Sequence, residues 1–155
     1  MDFPAPLTAE PQHALRMDLR WGDMDAMGHV NNTVYFRFME QVRVDWLNSL
    51  GLDWGGAGGV PVIVNAWCGF LREMRAPGRV LVRLYAARPG RSSFETRCTI
   101  FHSDAPELPC AHGGAKVVWI DASARRSAAL PPALRLAIPA EFPSTSPETP
   151  SHERQ

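Results

Sequence analysis

The densest group of chemically capable side chains lies in one short stretch, WGDMDAMGHVNN, from Trp21 to Asn32. It holds Asp23, Asp25, His29, Asn31 and Asn32. A carboxylate can serve as a base or as a nucleophile toward a carbonyl carbon, and an imidazole can orient that carboxylate or a water molecule. The stretch leads into a run of helical spacing. A helix N-terminus exposes unpaired N–H groups and about half a positive charge, which suits an anion or a polarised carbonyl oxygen. Hydrolysis of an activated acyl group needs an attacking group and fixed donors side by side, and this stretch can supply both. The alternative for the same residues is capping, since Asp and Asn are common ahead of helices.

The elements that would hold these groups follow from periodicity. Val34, Phe38, Val42 and Trp46 step by four, with Tyr35, Met39 and Leu50 widening the stripe, so a helix is predicted from Asn32 to Leu50. At 1.5 Å per residue it would be about 28 Å long, the width of a small domain. Asn31 or Asn32 can cap its start, and Gly51 can end it in a left-handed conformation. Before it, Leu15, Met17, Leu19 and Trp21 alternate with polar residues as a half-buried strand would. After it come strand-like runs at Val62–Met74, Arg79–Ala87, Phe94–Ile100 and Ala115–Ile120. Short turns at Ala76–Gly78 and Arg88–Ser93 favour antiparallel pairing. One long helix and five antiparallel strands must bury their apolar faces on each other, which predicts an α+β two-layer domain. The run LPPALRLAI adds a short helical turn.

The 155 residues suit one domain. Residues 1–12 lack periodicity, and residues 139–155 are rich in Pro, Ser, Thr and Glu; both are expected to be disordered, leaving 13–138 as the folded unit. Sixteen basic residues balance sixteen acidic ones, so no net field favours nucleic acid or an anionic membrane. No apolar stretch is long enough to span a bilayer, and the start, MDFPAPLTAEPQ, has no export-signal pattern. Three cysteines without a C-x-x-C pair fit a reducing compartment, so a cytoplasmic location is expected.

The run D-M-D-A-M-G-H-V-N-N-T-V-Y, followed by Glu40 and Arg43, resembles the signature of hotdog-fold acyl-CoA thioesterases related to 4-hydroxybenzoyl-CoA thioesterase. The resemblance implies a long central helix wrapped by a five-stranded antiparallel sheet. It places the catalytic aspartate at Asp25 and the carbonyl-polarising amide at Asn32. His29 would orient the aspartate or water, Glu40 would support the site, and Tyr35 would line the acyl pocket or the core. Glu40 and Arg43, three apart, can equally form a surface ion pair. The coenzyme A phosphates call for arginine. Arg88, Arg91, Ser92 and Ser93 are the densest candidates, with Arg72, Arg75, Arg125 and Arg126 as alternatives. No cofactor or metal is implied, and the family's subunit pairing implies a homodimer or a homotetramer.

The His-Val-Asn-Asn portion also resembles the acyl-carrier-protein thioesterases, but Met27 replaces that pattern's asparagine and 155 residues are too few for the two fused repeats common in that branch, so a coenzyme A substrate is expected. Two rivals stay open, a hotdog dehydratase and a non-catalytic acyl-CoA binder. Asp23, Asp25 and Gly28 imitate a calcium loop, yet Met27 and Val34 stand where ligands would be needed. The glycine-rich GGAGG lacks the ending of a phosphate loop. Cys110 and His112 lack two further clustered ligands for zinc.

Overall fold

The four-residue apolar step folds as helix α1, Asn32–Ser49, in a computed structural model that describes residues 2–145. Asn31 is its cap: the Asn31 side-chain oxygen accepts from the Thr33 amide at 2.9 Å. Gly51, with φ of 67°, follows its end in the left-handed region. Six strands surround this rod: β1 His13–Asp18, β2 Val60–Phe70, β3 Arg79–Ala87, β4 Ser93–His102, β5 Pro109–Asp121 and β6 Arg126–Ser127. The sheet is antiparallel with order β1-β3-β4-β5-β2, and the two-residue β6 pairs with β5. A short helix, α2, Pro132–Leu136, closes the unit. This is the hotdog arrangement, with one small strand more than the five predicted.

Helix α1 lies over β1 and β3. Its Phe38, Met39, Val42 and Trp46 meet Val80, Val82, Leu84, Phe94, Ile100 and Val117 of the sheet's inner face in one core. Strand β5 begins six residues earlier than predicted because Gly113 and Gly114, which look like turn residues, are strand residues chosen for closeness. A Cβ on Gly113 would stand 2.5 Å from Met39 Sδ, and one on Gly114 would stand 2.6 Å from Trp67 Nε1. The helix thus presses on one side of this strand and an indole on the other.

Two expectations change at the chain's start. Strand β1 ends at Asp18, and Trp21 begins a 3-10 turn, Trp21–Asp23, with its side chain 85% exposed instead of extending the buried stripe. The carboxylate of Asp23, which is 3% exposed, turns the chain there by accepting from the Arg20 amide at 2.8 Å. Nor is the described part of residues 1–12 loose. Leu7 is buried, its carbonyl accepts from Thr99 Oγ1 at 2.7 Å, and Tyr85 Oη donates to the Ala9 carbonyl at 2.6 Å. Phe3 stacks on Trp67 with ring centres 4.6 Å apart. Prolines pre-extend this segment, so it needs only a few anchors to lie along the outer face of the sheet.

At the other end, the Arg88 amide donates to the Pro139 and Ala140 carbonyls at 3.1 and 3.2 Å. The Arg88 guanidinium lies over the Phe142 ring. The predicted tail therefore starts as a docked segment, while the remainder of that expectation, from residue 146 on, lies outside the described residues.

Candidate active site

The loop from Asp23 to Asn31 is built by its own backbone. The Asp25 amide donates to the His29 carbonyl at 2.8 Å and the Gly28 amide to the Asp25 carbonyl at 3.0 Å, a tight turn that Gly28 completes at φ of 77°. The loop is tied to the β2–β3 connection, with the Val30 amide on the Met74 carbonyl at 2.8 Å and the Leu19 amide on the Gly78 carbonyl at 2.9 Å. Within this frame Asp23 and Asp25 part ways. Asp23 is buried and taken up by Arg20. Asp25 uses Oδ1 to accept from the Met27 amide at 2.9 Å and the His29 amide at 3.4 Å. Among the described residues no hydrogen bond reaches Asp25 Oδ2, so one oxygen is anchored and the other is left for chemistry.

Asp25, His29, Asn32 and Tyr35 line one cavity of about 390 Å³, together with Phe70, Leu71, Arg72 and Glu73. At the first turn of α1 the Thr33 amide is taken by Asn31 Oδ1 and the Val34 amide by the Asn31 carbonyl. The Asn32 amide has no acceptor among the described residues, as an oxyanion donor should not. Tyr35 forms the floor, edge-on to Phe70 with centres 5.0 Å apart, and burial pushes its phenol up to about 12, so it stays a neutral donor. Cys68, half-buried on β2, is raised by burial to about 11, which makes it a poor nucleophile.

The imidazole of His29 does not bond to the Asp25 carboxylate. Its Nε2 lies 2.8 Å from Arg75 Nη2 and 2.9 Å from Glu73 Oε2. A bare Nε2 can accept from Arg75, and a protonated one can donate to Glu73. Each protonation state of His29 therefore has a partner at the cavity wall. Glu73 was not among the sequence candidates, because nothing in the spacing of a residue 44 positions after His29 announces their contact.

The profile of the thioesterase-like superfamily matches residues 19–138. The chain belongs to the thioesterase-like superfamily. Similar solved structures include the PA2801 protein from Pseudomonas aeruginosa, 37% identical over 83% of this chain and 98% of that one, with a TM-score of 0.78. The PA5185 protein from Pseudomonas aeruginosa is 30% identical over 86% and 94%, at 0.75. A thioesterase from Thermus thermophilus, solved with coenzyme A and Zn, is 28% identical over 84% and 93%, at 0.72. No curated protein matches in sequence. Thioester hydrolysis is thus the chemistry to which this thioesterase's cavity must answer.

The remaining candidates lie elsewhere on the thioesterase. Glu40 is two helical turns, about 12 Å, beyond Asn32 and pairs with Arg37 at 3.1 Å, neither reaching Asp25 nor pairing with Arg43. Arg88, Arg91, Ser92 and Ser93 sit at the end of β3 and β4 opposite to Arg79, about 26 Å along the strands from the end that meets the Asp25 loop. There Arg88 is bound to Glu95 and Glu141, each at 3.3 Å, and Leu130 bonds back to the Arg91 carbonyl. Arg125, in the β5–β6 turn, and Arg126, which begins β6, lie at that same far end. Only Arg72 and Arg75, of the arginine candidates, border the cavity region, Arg72 as a lining residue and Arg75 through His29.

Proposed function

We propose that this thioesterase hydrolyses an acyl-CoA to the free acid and coenzyme A at the Asp25 cavity. The observation that carries the reading is the pairing, on one cavity, of a carboxylate with a free Oδ2 and a helix-start amide without an acceptor. The thioester oxygen takes the Asn32 N–H. Asp25 Oδ2 attacks the carbonyl carbon, or draws a proton from the water that does so, and negative charge gathers on the oxygen held by Asn32. One such donor contributes on the order of 3 kcal/mol to the barrier. Collapse breaks the carbon–sulfur bond and the departing thiolate takes a proton from His29, protonated beside Glu73; the proton that the consumed water gives up, to Asp25 or to solvent, then recharges His29 by way of solvent. In the nucleophilic route water then opens the mixed anhydride and restores Asp25. Arg72, which also pairs with Asp104 at 3.3 Å, and Arg75 lie at the mouth as the nearest arginines to meet a phosphate-bearing carrier, and a relative solved with coenzyme A supports that choice.

The proposed assembly is a homodimer through β2. This strand is an edge of the sheet, eleven residues long, and Val62, Ile63 and Val64 are exposed along it. Long apolar edges are ordinarily paired or covered, and a second copy pairing antiparallel does both. Three free cysteines support a reducing compartment, consistent with the cytoplasmic expectation.

Free-thiol release from a panel of aromatic, short, medium and long acyl-CoAs, with acyl-carrier-protein thioesters and enoyl-CoA hydration in parallel, tests the reading. Hydrolysis of at least one acyl-CoA, lost on replacing Asp25, supports it. Hydration alone, or carrier-protein thioesters alone, overturns it.

A further inference from the structure

Strand β2 is exposed from Val62 to Ala66, and two cavities border both this strand and helix α1, marking the ends of a path along it. One end is the Asp25 cavity, where Phe70 and Tyr35 meet. The other is a separate cavity of about 230 Å³ walled by Trp46, Trp54, Ile63 and Phe94, with the half-buried Arg43 and, beside it, Glu40 also on the lining. Cys68, Ala66 and Ile63 belong to the intervening stretch of β2, on the face that pairs with inner residues of β5. Eleven residues of helix separate Asn32 from Arg43, about 16 Å along the axis, and helical side chains lean back toward the N-terminus, which shortens the gap for a long side chain.

Arg43 is out of place in such a wall. Among the described residues it makes no hydrogen bond and no ion pair. The obvious partner, Glu40, is engaged by Arg37 at 3.1 Å. Burial lowers the guanidinium from its ordinary value, yet an arginine remains charged at any working pH. Glu40 favours the charged guanidinium only from beyond ion-pair distance, so a desolvated cation is left without a hydrogen-bonded partner, which is costly unless an anion arrives. The aromatic and aliphatic surroundings would hold a polymethylene or aryl chain but cannot satisfy the charge themselves.

We propose that this cavity is the distal acyl subsite and that Arg43 selects acyl groups ending in an anion, a carboxylate at the end remote from the thioester. The inference rests on the acyl-CoA reading above and names the substrate class that reading leaves open. The occupant lies along β2 with its thioester at Asp25 and Asn32 and its far carboxylate against the guanidinium, where a charge-assisted pair supplies the partner that the chain does not.

The test compares acyl-CoAs of matched length ending in a methyl group or in a carboxylate, with wild type, Arg43→Met and Arg43→Lys. Wild type should favour the carboxylate-ended member by about tenfold or more in kcat/KM, mainly through KM. Arg43→Met should lose that preference and Arg43→Lys should keep part of it. A second arm needs no hydrolysis: binding of a free fatty acid and of its methyl ester, followed by fluorescence of the cavity tryptophans. Wild type should bind the acid about tenfold more tightly, and Arg43→Met should not discriminate. Should Arg43→Met not fold, the preference of wild type and its partial retention in Arg43→Lys decide alone. Thiol release without any carboxylate preference, or Arg43→Met weakening self-association while leaving selectivity intact, overturns the subsite and spares the hydrolase reading. No thiol release at all, with acid preference intact in the binding arm, overturns the hydrolase reading and spares the anion subsite.

Discussion

At the scale of single residues the site turns on how one loop treats two aspartates. Asp23 is consumed by Arg20, whereas Asp25 is anchored by one oxygen and open at the other. Asp25→Asn keeps the anchoring acceptor and removes the charge, so turnover should fall at least about a hundredfold with little change in melting temperature. His29→Ala should cost less, because its imidazole faces Arg75 and Glu73 and contributes a proton site instead of the attack. Steady-state kinetics on both variants checks this, and a larger loss for His29→Ala would reverse the two roles. Asp25, His29, Asn32 and Tyr35 were legible in the sequence because a loop and the helix it feeds are contiguous. Glu73 was not, and Arg75 was legible only as an alternative phosphate ligand, because both reach His29 across the fold from the β2–β3 connection. Nor could spacing tell that Glu40 would bond to Arg37 in preference to Arg43, since both lie three positions away on the helix.

At the scale of elements, the helix and the middle strands followed from periodicity because each buries one continuous apolar face. Strand β3 matches its predicted bounds from Arg79 to Ala87. Periodicity failed where a residue was chosen for its neighbour's sake, as at Gly113 and Gly114 beneath Met39 and Trp67. It failed again in the N-terminal segment, where a single buried leucine and a series of side-chain donors onto its carbonyls replace an apolar stripe. Leu7 fills the outer side of the sheet beside Tyr85 and Thr99, so Leu7→Ala should destabilise the fold by about 2–5 kcal/mol. Chemical denaturation should show this as a lower midpoint at unchanged slope, with kcat preserved, since Leu7 belongs to the outer face and the Asp25 cavity opens beneath the inner one. A change within a few tenths of a kcal/mol would mean that the segment adds nothing to stability.

At the scale of the whole molecule, burial of the phenols ties stability to alkaline pH. The chain has two tyrosines, and burial raises both, Tyr35 to about 12. A phenol raised in the folded state keeps its proton there after the unfolded chain has released it at about 10. Between those values the unfolded state binds fewer protons, so stability is fully present below about pH 10 and is lost as pH rises toward about 12. Spectrophotometric titration should show phenolate appearing together with loss of near-ultraviolet circular dichroism, and free titration of both phenols in a folded chain at about pH 10 would contradict it.

The sheet also leaves one edge that a monomer would struggle to keep in water. Strand β1 is a short edge with Arg16 and Asp18 on its exposed side, the kind of edge that resists further pairing. Strand β2 is the opposite: long, apolar and interrupted only by the register shift between Ile63 and Asn65. Val64 lies at that shift without a partner on β5 and is 54% exposed, so a lysine there disturbs no packing within the chain. Placed beside its own copy across a two-fold axis, the same lysine brings like charges together and desolvates them. Val64→Lys should therefore convert a wild-type dimer into a folded monomer by sedimentation, with circular dichroism unchanged. Activity should fall with dimer content, because Phe70 and Leu71, which wall the Asp25 cavity from this strand and the residue after it, are about half exposed in the single chain and await a cover. A wild-type monomer of full activity would remove β2 from the assembly and return its apolar edge to an unpaired surface.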